Sequence, residues 1–157
     1  MKKLRKALVV LSVLLSANAF GQLQMESAKP DSFEDIYKFK FGGYVVGTIR
    51  FVHYSKSAYL MIQSNNQFEN SYHSVYLGND LESILSSLDD LEKLRKECPK
   101  DGVKVLGLGG KDTKIYPYFG GCALVKTDGV VGYGYLDLRF KTKKAKKKVI
   151  EYFQNKE

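Results

Sequence analysis

The 157-residue sequence contains no tryptophan, and it has only two cysteines and two histidines. Neither histidine lies near Cys98 or Cys122, and the two cysteines lack the C-x-x-C spacing typical of a zinc site. The G-x-S-x-G and H-E-x-x-H motifs are absent as well. These absences argue against the enzyme classes that short motifs identify. We therefore expect no catalytic residue, no cofactor and no bound metal.

The sequence also lacks an apolar run long enough to span a bilayer. Its apolar residues 7–15 follow four basic residues and precede an A-x-A sequence at residues 17–19. This order predicts a signal peptide at residues 1–21, cleaved after Ala19 or after Gly21. We thus expect an exported protein, periplasmic or secreted, without a transmembrane span after cleavage. The alternative is a retained N-terminal anchor.

The charge is less unusual than it first looks. The whole chain has a formal net charge of +8, from 25 basic and 17 acidic residues. Removing residues 1–21 takes away four basic and no acidic residues, which leaves 21 against 17 and a net charge of +4. Such a charge on a chain of this size gives no reason to expect nucleic-acid binding. The polar residues 22–34 are interpreted as a flexible tether, and residues 35–157 as a single domain.

One helix is predicted with a clear apolar stripe. Residues 79–98 carry apolar side chains at helical spacing, at Leu81, Ile84, Leu85, Leu88 and Leu91. Asn79 is the expected N-cap, with Glu82 completing a capping box. Pro99 ends the helix.

Strand patterns surround this helix. They cover residues 35–41, 44–54, 57–64, 72–77, 103–108, 122–127 and 130–140, and a second helix runs from Thr142, its expected N-cap, to Asn155. The glycine-rich residues 107–113 and the segment 116–121 are interpreted as loops. We predict an α+β fold, with an antiparallel sheet of about six or seven strands and two helices packed on one face. The order of elements suggests a degenerate strand-strand-strand-helix repeat.

Two hairpins fix the expected registers. A Ser55-Lys56 turn would pair Phe51 with Leu60, and an Asp128-Gly129 turn would pair Val125 with Gly132 and Ala123 with Gly134. The glycines would leave room for a helix to press close.

The cysteine pair suggests one disulfide. In an oxidising compartment Cys98 and Cys122 are expected to form a bond, and the alternative is two separate buried thiols.

Tyrosine is the abundant aromatic residue, with 11 copies. Most lie on strand faces opposite the apolar set, or in the loop at 116–121, and we interpret them as a binding surface for a protein or glycan of the cell envelope. The alternative is that tyrosine simply favours half-exposed strand positions. The candidate binding residues are Tyr44, Tyr54, Tyr72, Tyr76, Tyr133, Tyr135, Tyr116, Tyr118 and Phe119.

Lysines crowd the start of the final helix, where they oppose the helix dipole. They predict either weak attraction to an anionic surface or a solvated helix end. These residues are Lys141, Lys143, Lys144, Lys146, Lys147 and Lys148.

We therefore expect an exported, non-enzymatic binding domain. One alternative is an envelope inhibitor or immunity-type protein that inserts the 116–121 loop into an enzyme. The other is a metal-dependent hydrolase, which would need His53 and His73 to converge near Asp35 or Glu69.

Export can be tested on the native protein. Its N-terminal sequence should begin at Phe20 or at Gln22, because a signal peptidase cuts after small residues. A native chain that begins at Met1 would contradict the signal peptide and favour the retained anchor.

Overall fold

A computed structural model describes residues 32–66, 70–118, 122–137 and 139–156. The predicted signal peptide and residues 22–31 of the predicted tether lie outside this range. The first group of elements is β1 (Phe33–Phe41), β2 (Tyr44–Val52), β3 (Ser57–Gln63), β4 (Tyr72–Gly78) and helix α1 (Leu81–Lys96). The second is β5 (Val103–Leu106), a 3-10 turn (Leu108–Gly110), β6 (Asp112–Tyr118), β7 (Cys122–Thr127), β8 (Gly134–Leu136) and helix α2 (Thr142–Gln154).

The described strands form two antiparallel four-stranded sheets, in the orders β1-β2-β3-β4 and β5-β6-β7-β8. Each strand pairs with its neighbour in sequence, as short connections favour. The predicted α+β class and antiparallel pairing are confirmed. The strands divide into two sheets, and each half has four strands before its helix.

The β2–β3 hairpin differs from its expected register by two residues. Phe51 pairs with Ala58, and Ile49 pairs with Leu60. The connection is a four-residue turn at 53–56 in which Lys56 has a φ of 46°, because Ser55-Lys56 lacks the glycine that a two-residue turn prefers. A shift of two residues keeps the same side chains on the inner face.

The second predicted hairpin has the expected turn, but the register of its strands differs from the predicted one beyond the turn. The Val130 N–H donates to the Thr127 carbonyl at 3.1 Å, as the Asp-Gly signal indicates. Gly132 then bends the chain with a φ of 86°, so Val125 pairs with Gly134. As a result β8 has three residues instead of the predicted eleven. Phe140 leaves the sheet and is buried in the core.

Strand β6 lies between β5 and β7 and includes residues 112–113 and 116–118, which were expected to be parts of two loops. It alternates buried Thr113 and Ile115 with outward Lys114 and Tyr116. Residues that were expected to form glycine-rich and aromatic loops therefore form an inner strand of the second sheet.

The core lies where the inner faces of both sheets meet the two helices. At Gly134 an added Cβ would lie 2.7 Å from Ile62 Cγ2 and 3.2 Å from His73 Cδ2. The first sheet, and not a helix as expected, therefore presses against this glycine. The largest fully buried side chains include Ile49, Leu60, Ile62, Leu77, Ile84, Leu88, Ile115, Leu136 and Phe140.

Helix α1 is capped one residue later than predicted. Asp80 is the N-cap, and its carboxylate accepts from the Ser83 N–H at 2.8 Å while Ser83 Oγ accepts from the Asp80 N–H. Aspartate is as good a cap as asparagine, and Ser83 takes the role expected of Glu82. The predicted stripe is seated, with Ile84, Leu88 and Leu91 buried.

Helix α2 begins against the acidic side of α1. Lys141, and not the predicted Thr142, is the N-cap, and it makes no side-chain cap because its ammonium has no acceptor. The Thr142 hydroxyl donates to Glu92. Lys146 pairs with Asp89 of α1. Carboxylates of α1 thus offset part of the positive charge that opposes the helix dipole.

The predicted disulfide is not formed, since Cys98 is a free thiol. It packs against the main core just after α1, and burial raises the pKa of its thiol.

The seating of α1 can be tested by Leu88→Ala. The variant should lose about 2–5 kcal/mol of unfolding free energy, because it leaves a cavity in a fully buried site. Urea denaturation measures the loss. The exposed Ser86→Ala is the matched control and should change stability by less than about 0.5 kcal/mol. Equal effects of the two changes would mean that the helix does not pack as described.

Candidate functional site

The outer face of the second sheet gathers four of the predicted tyrosines. Because inward positions of β6 and β7 are fully buried, the alternate positions point away from the core. Tyr116 pairs with Leu124, and Leu124 pairs with Tyr135 across three strands. We call the outward residues Tyr116, Tyr118, Tyr133 and Tyr135 the tyrosine face.

The members of the tyrosine face contact one another and their neighbours. The rings of Tyr118 and Tyr135 lie 5.5 Å apart, and Lys126 Nζ lies 5.9 Å from the Tyr133 ring centre. Tyr118 is 37% exposed and Tyr133 is 40% exposed. Asn65 Nδ2 donates to the Tyr135 hydroxyl at 3.4 Å. These contacts fix the rings while leaving part of their area open to a partner.

A row of lysines runs beside the tyrosine face. Lys104 pairs in register with Lys114, and Lys114 pairs with Lys126. We call these three residues the lysine row. Only Lys104 has an ion-pair partner among the described residues, Asp112 at 2.5 Å, and this hydrogen bond raises the pKa of Lys104. Like charges opposite each other across strands are unfavourable, so the row favours an anionic neighbour.

The remaining predicted tyrosines do not join this face. Tyr44 and Tyr54 lie near opposite ends of the first sheet and are 80% and 88% exposed. Tyr72 is exposed at the start of β4. Tyr76 packs on Tyr59 with ring centres 5.6 Å apart and belongs to a second, smaller apolar cluster. The first sheet therefore does not present the continuous aromatic surface that we expected. Phe119 lies outside the described residues.

A small hollow connects Tyr44 with the tyrosine face. It has a volume of about 190 Å³, and its lining includes Tyr44, Asn65, Tyr135 and Arg139. The Arg139 guanidinium is held by Asp137 at 2.7 Å and 2.6 Å. Asn65 was not among the predicted site residues, because only the packing of the two sheets brings it beside Tyr135.

The predicted basic cluster is divided by its ion pairs. Lys146 pairs with Asp89, while Lys147 and Lys148 pair with Glu151 one turn along the same helix. Lys141, Lys143 and Lys144 make no ion pair within the described ranges. The cluster is therefore smaller than the sequence suggested.

The two histidines are not brought together. His73 is fully buried on the inner face, where Nδ1 accepts from the Thr127 N–H at 3.0 Å. His53 lies in the β2–β3 turn, with Nε2 3.4 Å from Glu34 Oε1. Asp35 pairs with Arg50, and Glu69 lies outside the described residues. The described residues hold no group of three metal-ligating side chains.

Comparison with known proteins adds no assignment, since no family model, curated protein or solved structure matches the chain. Within the described ranges, no helix has the length and apolar character needed to cross a membrane.

His73 should make stability depend on pH. Burial lowers its pKa below the ordinary value of about 6.5, so below that pH the unfolded chain binds a proton that the folded chain does not. Unfolding free energy should fall as pH drops from about 6.5 towards the folded pKa, by at most about 1.4 kcal/mol per pH unit.

Urea denaturation between about pH 7 and pH 5 isolates this effect, because carboxylates titrate at lower pH. His73→Gln should flatten the pH dependence, while the control His53→Gln should keep it. An unchanged slope in His73→Gln would contradict the role of His73.

Proposed function

We propose that the chain is an exported, non-enzymatic binding domain that uses the tyrosine face and the lysine row to bind an acidic surface of a protein partner. The observation that carries this proposal is the register of the second sheet. It sets three lysines in one row and two tyrosines, Tyr116 and Tyr135, in the next.

The aromatic part of the site suits protein recognition. Tyrosine offers a large amphipathic contact area and loses little conformational freedom on binding. The rings of Tyr116 and Tyr135 are half-buried, and Tyr135 contacts Tyr118 and Asn65, which lowers the entropy that Tyr135 loses on association.

The lysine row gives the partner its expected charge. Lys114 and Lys126 face each other without a carboxylate between them in the described structure. An acidic partner surface would relieve this repulsion, steer the encounter and make binding sensitive to salt.

Binding fits the chemistry of this face better than catalysis does. The tyrosine face and the lysine row consist of phenols and amines, and the carboxylate beside them, Asp112, is paired with Lys104. His73 is enclosed in the core, away from the outer face.

Affinity capture from the envelope and culture medium of the source organism tests the proposal. The wild-type chain should retain a protein that mass spectrometry identifies, and its dissociation constant can then be measured by calorimetry. The paired change Tyr118→Ser, Tyr133→Ser should weaken binding at least about tenfold, because exposed aromatic anchors dominate interface energies. Lys114→Glu, Lys126→Glu should weaken it and reduce its salt dependence.

The control is Tyr54→Ser, Tyr72→Ser, which removes two exposed tyrosines from the first sheet. It should bind like the wild type. If the first-sheet pair weakens binding and the second-sheet pair does not, the tyrosine face is not the site.

The inhibitor-type alternative was expected to use the 116–121 loop, but residues 116–118 belong to strand β6 and residues 119–121 lie outside the described ranges. The aromatic tip of the β1–β2 hairpin is the one observation that favours this alternative. Phe41 is 62% exposed, and with Tyr44 it flanks Gly42 and Gly43, both of which have left-handed φ angles. In the same capture, Phe41→Ser, Tyr44→Ser should release the partner only if this tip enters the partner's cleft.

A further inference from the structure

The β1–β2 hairpin ends in a turn that carries exposed aromatic and apolar side chains. Phe41 and Tyr44 are paired across this turn, so their side chains lie on the same face of the hairpin. Phe41 is 62% exposed, Tyr44 is 80% exposed and Val45 is 37% exposed. We call residues 41–45 the hairpin tip. The hairpin tip shares no residue with the tyrosine face or the lysine row.

The hairpin tip stands clear of the rest of the domain. A Cβ atom added at Gly42 or at Gly43 would meet no described atom within 4 Å beyond its chain neighbours. Just before the tip, Phe39 is buried, and its ring centre lies 4.8 Å from that of Phe140. The core therefore holds the hairpin at Phe39 and leaves the tip open to solvent.

Cationic side chains gather beside the hairpin tip. A hollow of about 380 Å³ is lined by Lys40, Phe41, Arg139 and Lys141, and the Arg139 guanidinium carbon lies 5.8 Å from the Phe41 ring centre. Asp137 holds Arg139, whereas Lys40 and Lys141 have no ion-pair partner in the described part of the chain. Three cations against one carboxylate leave a net charge of +2 beside the tip.

The order of these groups along the hairpin matches the layers of a membrane surface. Lys40 pairs with Val45, one residue pair further from the turn than Phe41 and Tyr44. In an anionic bilayer, aromatic side chains enter the interface while cations bind the negative headgroups around them. A protein cleft would need an acidic rim around an apolar floor to match the tip, whereas an anionic bilayer offers both layers everywhere.

We infer that the hairpin tip is a membrane-contact site, which inserts Phe41 and Tyr44 into the headgroup region of an anionic phospholipid bilayer. Lys40 and Lys141 bind lipid headgroups beside the inserted rings. The contact is peripheral, because only the tip enters the lipid and the core keeps the hairpin at Phe39. It is independent of the proposed binding of a protein partner by the tyrosine face.

The chain contains no tryptophan, so one substitution provides a site-specific fluorescent probe. The full exported chain with Phe41→Trp is mixed with vesicles of phosphatidylglycerol and phosphatidylcholine, with and without bromine on the acyl chains. Its emission should shift to shorter wavelength and should be quenched by the brominated lipid, because the tip enters the bilayer. Vesicles of phosphatidylcholine alone should bind this variant at least about tenfold more weakly.

The matched control for insertion is Tyr54→Trp, because Tyr54 is 88% exposed near the opposite end of the first sheet. Its emission should not respond to the brominated lipid. Both variants keep the same N-terminal residues, so any lipid contact made there is common to the two. Equal quenching in both variants, or quenching in neither, would overturn the inference.

The headgroup contacts are tested in the Phe41→Trp background. Lys40→Gln, Lys141→Gln should weaken vesicle binding at least about tenfold, because both cations lie at the membrane surface. The control Lys147→Gln, Lys148→Gln removes the same charge away from the tip and should change the affinity by less than about threefold, since exposed ion pairs contribute little. Equal weakening in both double variants would overturn the headgroup contacts in favour of general charge attraction.

A protein cleft is the other possible occupant, and the same variants identify it. If vesicles do not quench Phe41→Trp while Phe41→Ser, Tyr44→Ser releases a captured protein, the tip binds that protein and the membrane site is wrong. Failure of the tyrosine face would appear separately, in Tyr118→Ser, Tyr133→Ser.

Discussion

Hydrogen bonds between buried polar groups join β4 of the first sheet to β6 and β7 of the second. The Thr113 hydroxyl donates to the Ser74 carbonyl and lies 2.9 Å from the Thr127 hydroxyl. The Thr127 N–H donates to His73. Such groups are costly to bury unless they are paired. Sliding one sheet over the other would leave them without partners, so this seam fixes how the two sheets meet.

The seam also decides what the second sheet shows to solvent. Since Thr113 and Thr127 must face inward, strand alternation places Lys114 and Lys126 outward and opposite each other. A sheet shaped by stability alone would favour opposite charges at paired positions. The lysine row therefore runs against the local rule, and local exceptions of this kind are expected at functional sites.

Helix α1 was predictable because its signal is local: five apolar residues at helical spacing mark it without any partner, although the cap is Asp80 and not the predicted Asn79. Sheet registers depend on turns and on distant contacts. The predicted turn at Ser55-Lys56 was two residues shorter than the observed turn. Gly132 bends the chain at a point that the alternation of apolar residues does not mark. The four tyrosines of the face were each predicted as binding residues, but their grouping on one face was not, because it depends on β6 lying between β5 and β7. The alternation from Thr113 to Tyr116 was the signal that could have identified that strand.

Some of the positive charges of the chain are paired with carboxylates where helices pack, and others are left without such a partner. Where α1 packs on α2, Lys146 donates to Asp89 and the Thr142 hydroxyl donates to Glu92. The ion pair between Lys146 and Asp89 balances charge at this contact. Away from that contact, Lys114 and Lys126 of the lysine row have no ion-pair partner among the described residues. The proposed binding would therefore depend on groups that the core does not use, because the core consists of buried apolar contacts and the polar seam. Variants on the outer face can thus report on binding without unfolding the core.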